Sequence, residues 1–310
     1  RLNLDARGIA ARLGVAYLLD GNVRVADNVV RISAELIDGS SGLVGWNKNF
    51  EQPMSNVLAV QSEIASSVTA ALTSVFSSVD VDGERMMGGT TNVAAFDAYL
   101  RGRDLYNNAS DEAGERAALE RFDAAIALDP RFAAAHAARA RSLTVIANQY
   151  GSLAETRHDY DLALQSAQRA VALAPDFADA QSTLGSVLFQ ARLEVAKARA
   201  PFDRSYRLGP GDAAVIGRFA LYCAATGRDR EALAAATHAA QLDPLNPLTQ
   251  RALGSVHFSA RRYREAIPPL EAALAGNPEL GNCHALIGMC KLMMNDVNGA
   301  RAELVKESNA

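Results

Sequence analysis

Cysteine is scarce in this chain, and the cysteines present are not arranged as metal ligands. Cys223, Cys283 and Cys290 are the three cysteines among 310 residues, and none begins a C-x-x-C or C-x-x-H pattern of the kind that holds zinc. All three lie within helical hydrophobic patterns, so we expect them to be small core residues. The odd count also favours a reducing compartment. The sequence predicts neither a metal site nor a bound cofactor.

Long apolar runs and basic tracts are missing as well. No segment has the roughly 18 consecutive apolar residues of a membrane-spanning helix. The formal net charge is −4 and the most basic stretch is the short "ARRYRE" at 260–265, so direct contact with nucleic acid is not expected. The chain begins at Arg1 and its last residues, "ARAELVKESNA", stop within a helical pattern. We therefore expect both ends to continue into a longer protein.

Common catalytic and nucleotide-binding motifs are absent from the sequence. It contains no G-x-x-x-x-G-K-[ST], no G-x-G-x-x-G after a strand, no H-E-x-x-H and no G-x-S-x-G. The stretch "RHDYD" at 157–161 is interpreted as an Asp-capped helix start, and His257 and His284 as ordinary residues of a helical repeat. The sequence predicts no catalysis within these residues.

What is present begins with a stretch that alternates apolar and polar residues. It is "GNVRVADNVVRISAELIDGSSG" at 21–42, in which Asp27 and Asn28 are the residue types of a tight hairpin turn. Alternation with a period of two is typical of antiparallel strands with one solvated face. The continuation "LVGWNKNF" predicts a third strand, whose covered face holds Val44, Trp46 and Phe50.

Helical patterns flank these three strands. Asp5 is a suitable N-cap and Gly14 a suitable stop for a short helix in front of them. Behind them, apolar residues recur every three and four positions from Ser55 to Val75, which predicts a helix that covers the sheet. The sequence thus predicts a small α+β unit of helix, three antiparallel strands and helix.

This first part of the chain resembles the second half of the TolB-like amino-terminal domain of bacterial multidomain signalling proteins. The matching residues are Leu13, Gly14, Val15, Tyr17, Gly21, Val23, Arg24, Val30, Arg31, Ile32, Leu36, Ile37, Asp38, Gly42, Trp46, Gln61, Glu63, Ile64 and Ala65. The family's first half, a strand and a helix further upstream, has no counterpart here. The resemblance implies an effector upstream, either a class III adenylate or guanylate cyclase or a winged-helix DNA-binding domain. It also implies a sheet edge that lacks its neighbour, which would permit a homodimer.

A proline-marked repeat fills most of the remaining chain. The prolines are Pro130, Pro175, Pro210, Pro244 and Pro278, and the last three are 34 residues apart. That period, with two helical patterns inside it, is typical of tetratricopeptide repeats. Small residues occupy the positions where paired helices pack closely: Gly185, Ala220, Gly254 and Gly288 on first helices, and Ala198, Ala232, Ala266 and Ala300 on second helices.

The predicted fold class is mainly α, a right-handed tetratricopeptide solenoid preceded by the partial α+β domain. We expect the partial domain at 1–78, a linker at 79–92 and the repeat array at 93–310. The array has about six units with an incomplete last one: 95–132, 133–177, 178–212, 213–246, 247–280 and 281–310. The surplus length of the second unit is expected between its helices, at "NQYGSLAETRHDYD".

Tetratricopeptide arrays generally bind a protein or peptide in the concave groove formed by their first helices. By register, the predicted groove residues are Tyr99, Arg103, Tyr106, Arg141, Phe189, Arg251, Phe258, Met289 and Met293. Aromatic, Arg and Met side chains are enriched at interfaces, although packing against a neighbouring helix explains each one equally well. The Lys/Asn pattern of repeats that bind chaperone tails is absent.

These observations favour a non-catalytic, regulatory or sensory scaffold that binds a protein or peptide partner and acts on an upstream effector of the same chain. Three alternatives stay open: the rear part of a class III adenylate cyclase, that of a winged-helix transcriptional regulator, and an envelope assembly protein. The expected location is the bacterial cytoplasm, or the periplasm if a membrane span lies upstream.

Overall fold

The computed structural model describes residues 5–13, 15–26, 29–53, 67, 89–109 and 111–307. These residues fall into two compact units. One contains the described residues up to 53 together with 67 and 91–93, and the other contains 89–90 and everything from 94 onward.

The amino-terminal unit starts with a short helix, α1 (Ala6–Leu13). Asp5 caps it as predicted, because its Oδ1 accepts a hydrogen bond of 2.9 Å from the backbone N–H of Gly8. Such a bond satisfies one of the donors left free in a first helical turn. The predicted stop at Gly14 lies outside the described residues.

Three antiparallel strands follow: β1 (Tyr17–Ala26), β2 (Val29–Asp38) and β3 (Val44–Pro53). The sheet order is β1-β2-β3, and Ala26 pairs with Val29 at the predicted hairpin. The buried side of the sheet holds Val30, Ala34, Leu36 and Phe50, with Trp46 half-buried. The turn residues 27–28, the predicted covering helix at 55–75 apart from residue 67, and most of the predicted linker at 79–92 lie outside the described residues.

Val44 does not lie on the covered face of the sheet, so the prediction that placed it there is wrong. The pairing shifts between Leu36 and Ile37: Leu36 pairs with Trp46, but Ile37 pairs with Val44. This bulge inserts one residue into β3 and moves Val44 to the opposite face from Trp46. The Val44 side chain is accordingly exposed.

The second unit consists of helices that follow one another in pairs. The first helices are α2 (Val93–Asn108), α4 (Ala133–Gln149), α6 (Ala178–Ser186), α8 (Ala213–Ala225), α10 (Pro247–Ser259) and α12 (Cys283–Met293). The second helices are α3 (Glu112–Leu128), α5 (Leu153–Leu173), α7 (Val195–Leu208), α9 (Asp229–Leu242), α11 (Tyr263–Gly276) and α13 (Val297–Glu307). Helix α6 continues into a π-helical turn, Val187–Ala191.

The surplus length of the second pair does not form the predicted insertion between its helices. Helix α4 ends at Gln149 and α5 begins at Leu153, so the extra residues lengthen the helices instead. The predicted helix start at 157–161 is also wrong, because the helix begins earlier. There Ser152 and Glu155 form a capping box, in which the backbone N–H of Ser152 donates to Glu155 Oε2 at 3.0 Å.

Small residues lie at the contacts within pairs, as predicted. A Cβ added to Gly185 would lie 2.9 Å from the ring of Phe202 on α7, and one added to Gly254 would lie 2.5 Å from Leu270 Cγ on α11. The predicted alanines of the array are buried, and so are the three cysteines, which are free thiols. The core of the array therefore depends on close approach of the paired helices.

Candidate functional site

An ion network crosses three successive first helices of the array. Arg141 on α4 donates from Nη1 to Asp179 Oδ2 at 2.7 Å, and Asp179 lies in the first turn of α6. Arg218 on α8 donates from Nη2 to the other oxygen, Asp179 Oδ1, at 2.5 Å. One carboxylate is therefore held between two guanidinium groups.

Hydroxyl groups of α6 complete this network. Arg141 Nη1 also donates to Thr183 Oγ1 at 3.0 Å, and Arg218 Nε donates to Ser182 Oγ at 2.7 Å. The side chains of Arg141, Asp179 and Arg218 are 20%, 17% and 24% exposed. The network is thus largely buried but still reaches the surface of the array.

Burial and charge act on these groups in opposite directions. Burial raises the pKa of Asp179, but attraction to Arg141 and Arg218 outweighs it and lowers the pKa to about 2. Burial lowers the pKa of Arg141, yet Asp179 and the hydroxyls of Tyr106 and Tyr99 together raise it above its ordinary value. Asp179 is therefore ionised at neutral pH. With its two arginine partners the network carries a net charge of one positive unit.

The predicted residues of α2 lie beside this network. Tyr99 is buried, with ring centroids 6.0 Å from Phe122 and 4.9 Å from Phe132. The exposed guanidinium of Arg103 lies 5.8 Å from the centroid of the Tyr99 ring. Tyr106 is half-buried, and burial raises its pKa while the charges of Arg141 and Arg218 act against that shift. Tyr99 thus belongs to the core, whereas Arg103 and Tyr106 extend the polar surface.

The predicted residues of the later helices are spread along the array. Phe189 stands perpendicular to Tyr222 at 5.5 Å between centroids, and Phe258 lies 5.7 Å from Tyr263. Both phenylalanines are half-buried, so part of each ring reaches solvent. For the rest of the set, Arg251 Nη1 donates to the carbonyl of Gly281 at 3.3 Å, and Met289 and Met293 are exposed. A role in partner binding stays a prediction for all nine residues.

Asp179 and Arg218 are missing from the sequence-based set, although the structure joins both to Arg141. The sequence separations are 38 residues from Arg141 to Asp179 and 39 from Asp179 to Arg218. Each is about one repeat plus one helical turn, so opposite charges at that separation on first helices are a signal that could have found them.

Other titratable groups of the array lie outside this network. Glu115 is buried, its Oε2 has no hydrogen-bond partner, and burial raises its pKa to about 7. Burial also raises the pKa of the Cys223 thiol to about 12. Within the described parts of the chain, no group of three or more His, Cys, Asp and Glu side chains is arranged to hold a metal ion.

Comparison with solved structures gives a consistent fold. The human IFIT1 dimer with PPP-AAAA matches with a TM-score of 0.58 and 17% identity, over 69% of this chain and 50% of that one. TTC0263, a thermophilic TPR protein of Thermus thermophilus, matches with a TM-score of 0.51 and 20% identity, over 64% of this chain and 100% of that one. The predicted fold class is confirmed: mainly α, a right-handed tetratricopeptide solenoid preceded by a small α+β unit.

Comparison with known sequences gives less information than comparison with solved structures. No protein-family model matches the chain. A curated protein of Rhizobium meliloti (strain 1021), "Putative adenylate cyclase 3", is 34% identical over 145 residues, which is 46% of this chain and 23% of that protein. The chain thus spans about a quarter of that relative's length. None of the described helices combines the length and the apolar character needed to cross a bilayer.

Proposed function

We propose that this chain is a non-catalytic scaffold whose array binds a peptide or partner protein along its first helices. The observation that carries the proposal is the chain of groups Arg141–Asp179–Arg218, which runs over three successive first helices and reaches solvent. Arginine and aromatic side chains that are only partly buried are typical of interface anchors. Phe189 and Phe258 extend that surface along the array.

The domain assignment belongs to the same proposal: a partial TolB-like domain at 1–78, a linker at 79–92 and the repeat array at 93–310. The three-stranded order β1-β2-β3 and the buried face of β2 are consistent with the strand pattern that carries the resemblance. In this proposal the array senses a partner, and the signal acts on an effector of the same parent chain. A homodimer through the strand edge is part of this hypothesis, and light scattering on the purified chain would measure it.

A second candidate is the rear part of a class III adenylate cyclase. It is favoured by the name of the Rhizobium meliloti relative and by 34% identity over 145 residues. In that case the catalytic residues lie in another part of the parent protein. The compartment follows the parent, either the bacterial cytoplasm or the periplasm if a membrane span lies upstream. Sequencing the gene upstream of Arg1 would test this candidate, since a cyclase domain requires metal-binding aspartates.

Peptide selection against the purified chain tests the scaffold proposal. We expect a displayed library of random peptides to yield binders whose affinity falls about tenfold when Phe258→Ala removes a groove side chain. Arg230→Ala is the matched control, because Arg230 is exposed on the second helix α9. A library without binders, or binders that respond to Arg230→Ala but not to Phe258→Ala, would contradict the proposal.

A further inference from the structure

We propose that the groove binds an acidic peptide segment, and that one of its carboxylates is held by Arg141 and Arg218. This inference rests on the proposed function and names the chemistry of the partner. It begins from a charge imbalance: two guanidinium groups share the single carboxylate of Asp179 in a network that is about four-fifths buried. A positive charge without a counter-charge is costly in such surroundings, so a second carboxylate brought by a partner would be stabilised there.

The unused donors of the two arginines support the same conclusion. An arginine has five N–H groups, yet the bonds of Arg141 to described residues all come from Nη1. Those of Arg218 come from Nε and Nη2. Neither arginine has a buried nitrogen without a partner. The nitrogens without a bond, Nε and Nη2 of Arg141 and Nη1 of Arg218, therefore keep some contact with solvent and are accessible to a carboxylate in the forked geometry that arginine favours.

One further cation, Arg103, and one partly neutral carboxyl group, Glu115, lie near the network. The Arg103 guanidinium lies over the ring of Tyr99, and the Tyr99 hydroxyl is within electrostatic range of both Arg103 and Arg141. Glu115, one of the acidic residues of α3, lies within electrostatic range of Tyr106, and burial keeps it partly protonated at neutral pH. The surface around Arg141 and Arg218 is therefore complementary to a negative charge.

The surroundings favour a peptide over a nucleic acid. Binding to a phosphate backbone requires many Lys and Arg contacts, whereas this chain has a net charge of −4. Next to the network, α8 presents Leu221, which is exposed one helical turn after Arg218, and the π-helical turn presents Phe189. A peptide with an acidic residue followed by apolar residues is therefore complementary to this part of the groove, where the two arginines lie next to Leu221 and Phe189.

Fluorescence anisotropy with defined probes tests this inference. The probes are a labelled peptide with repeated Glu-Glu-Leu-Phe, the same peptide with Gln in place of Glu, and a 5′-phosphorylated oligoadenylate RNA. We expect the full chain to bind the acidic peptide at least tenfold more tightly than the Gln peptide, with an affinity that decreases as salt increases. Arg218→Gln should raise the Kd of the acidic peptide about tenfold and leave that of the Gln peptide unchanged.

The Asp179→Asn variant distinguishes a network that recognises the peptide from one that only supports the fold. Removing the competing carboxylate should tighten binding of the acidic peptide, whereas a purely structural network would lose binding when it is broken. Circular dichroism of each variant checks that it is folded, and Arg230→Gln on α9 is the charge-matched control.

Equal affinity for the two peptides would overturn this inference, and so would weaker binding by a folded Asp179→Asn variant or tighter binding of the RNA. If the two peptides bind equally and Phe258→Ala weakens both, the proposed scaffold function stands while its acidic specificity fails. If neither peptide binds and peptide selection also yields no binder, both proposals fail.

Discussion

At the scale of single residues, one backbone position recurs in the left-handed region. Leu193, Gly227, Arg261 and Asn295 follow one another at intervals of 34 residues, with φ angles of 54°, 74°, 59° and 67°. Each lies two residues before the start of the second helix of its pair. Glycine adopts this conformation without steric cost and asparagine adopts it readily, but leucine and arginine do not. Two of the four turns are therefore strained.

Leu193→Gly should stabilise the array. Leu193 is 78% exposed, so little packing is lost, and removing its Cβ relieves about 1 kcal/mol of backbone strain. Part of that gain is offset by the larger unfolded-state entropy of glycine, so we expect a net increase of about 0.5 kcal/mol in the free energy of unfolding, measured by urea titration. Gly227→Leu is the reciprocal control and should destabilise. A lower urea midpoint for Leu193→Gly would show that its side chain makes a contact that matters more than the strain.

Glu115 predicts a pH dependence that can be assigned to one side chain. Its pKa is raised by burial from 4.5 to about 7, so the folded state retains a proton that the unfolded state releases between these values. The stabilisation from this group is complete below about pH 4.5 and is lost as the pH rises to about 7. The loss amounts to roughly 3 kcal/mol.

The comparison of wild type with Glu115→Gln isolates this effect, because the other titrating groups are common to both proteins. We expect the variant to be clearly more stable than the wild type at pH 8, and the difference to shrink or reverse at pH 4.5. Urea titrations at the two pH values measure it. An identical pH profile for both proteins would mean that the carboxyl group finds a partner in solution.

At the scale of helices, close packing requires glycine at position 254 but not at position 217. Gly254 on α10 faces Leu270 and the carbonyl of Ala266, both on α11, and an added Cβ would lie 2.5 Å from Leu270 Cγ. Gly217 on α8 has more space, since the nearest atom to an added Cβ is Ala252 Cβ at 3.8 Å. The same substitution should therefore have opposite effects at the two sites.

Gly254→Ala is expected to lower the free energy of unfolding by about 1 to 3 kcal/mol, because α11 must move away. Gly217→Ala is the matched control and should raise it by about 0.5 to 1 kcal/mol, since alanine favours the helix and nothing blocks its methyl group. Chemical denaturation of the two variants against wild type gives both values. Equal effects in the two variants would contradict the packing argument.

A second repeated feature is a hydrogen bond between the turn at a repeat proline and the first helix that follows it. This contact could not be recognised from the sequence. The side chain six residues after a repeat proline bonds to that proline's carbonyl: Gln181 Nε2 donates to Pro175 at 2.8 Å and Gln250 Nε2 to Pro244 at 2.9 Å. The His136 ring lies at the same point of its repeat, 3.1 Å from the carbonyl of Pro130. The spacing is visible in the sequence, but the bond depends on how the first helix follows the turn.

At the scale of the whole chain, the period of 34 was enough to predict helix pairs, because Pro and small residues recur where turns and close contacts require them. What it could not predict depends on geometry between segments. The bulge that moves Val44 arises from pairing with β2. The spacing of Arg141, Asp179 and Arg218 is visible in the sequence, but their contact requires the stagger of three helices. The extra turns of α4 and α5 were misplaced because their added residues keep a helical pattern.

The last helix pair is held together by acidic side chains of α13. Glu303 is buried and receives a hydrogen bond from Lys291 Nζ at 2.8 Å on its Oε1, while the His284 ring lies 2.8 Å from its Oε2. Burial raises the pKa of Glu303, but the bonds from Lys291, His284 and Lys306 outweigh it and lower the pKa to about 2. Its stabilisation is therefore present above about pH 4.5 and is lost as the pH falls toward 2.

Because each repeat contacts mainly its neighbours, loss of this network should affect the end of the array and leave the beginning unchanged. We expect Glu303→Gln to speed amide hydrogen exchange about tenfold in α12 and α13, with no change in α4 and α5. Asp97→Asn is the control, since its ion pair with Arg101 is well exposed and worth little. Equal acceleration in α4 and α12 would mean that the array unfolds as one cooperative unit, because a defect at its end would then lower protection everywhere.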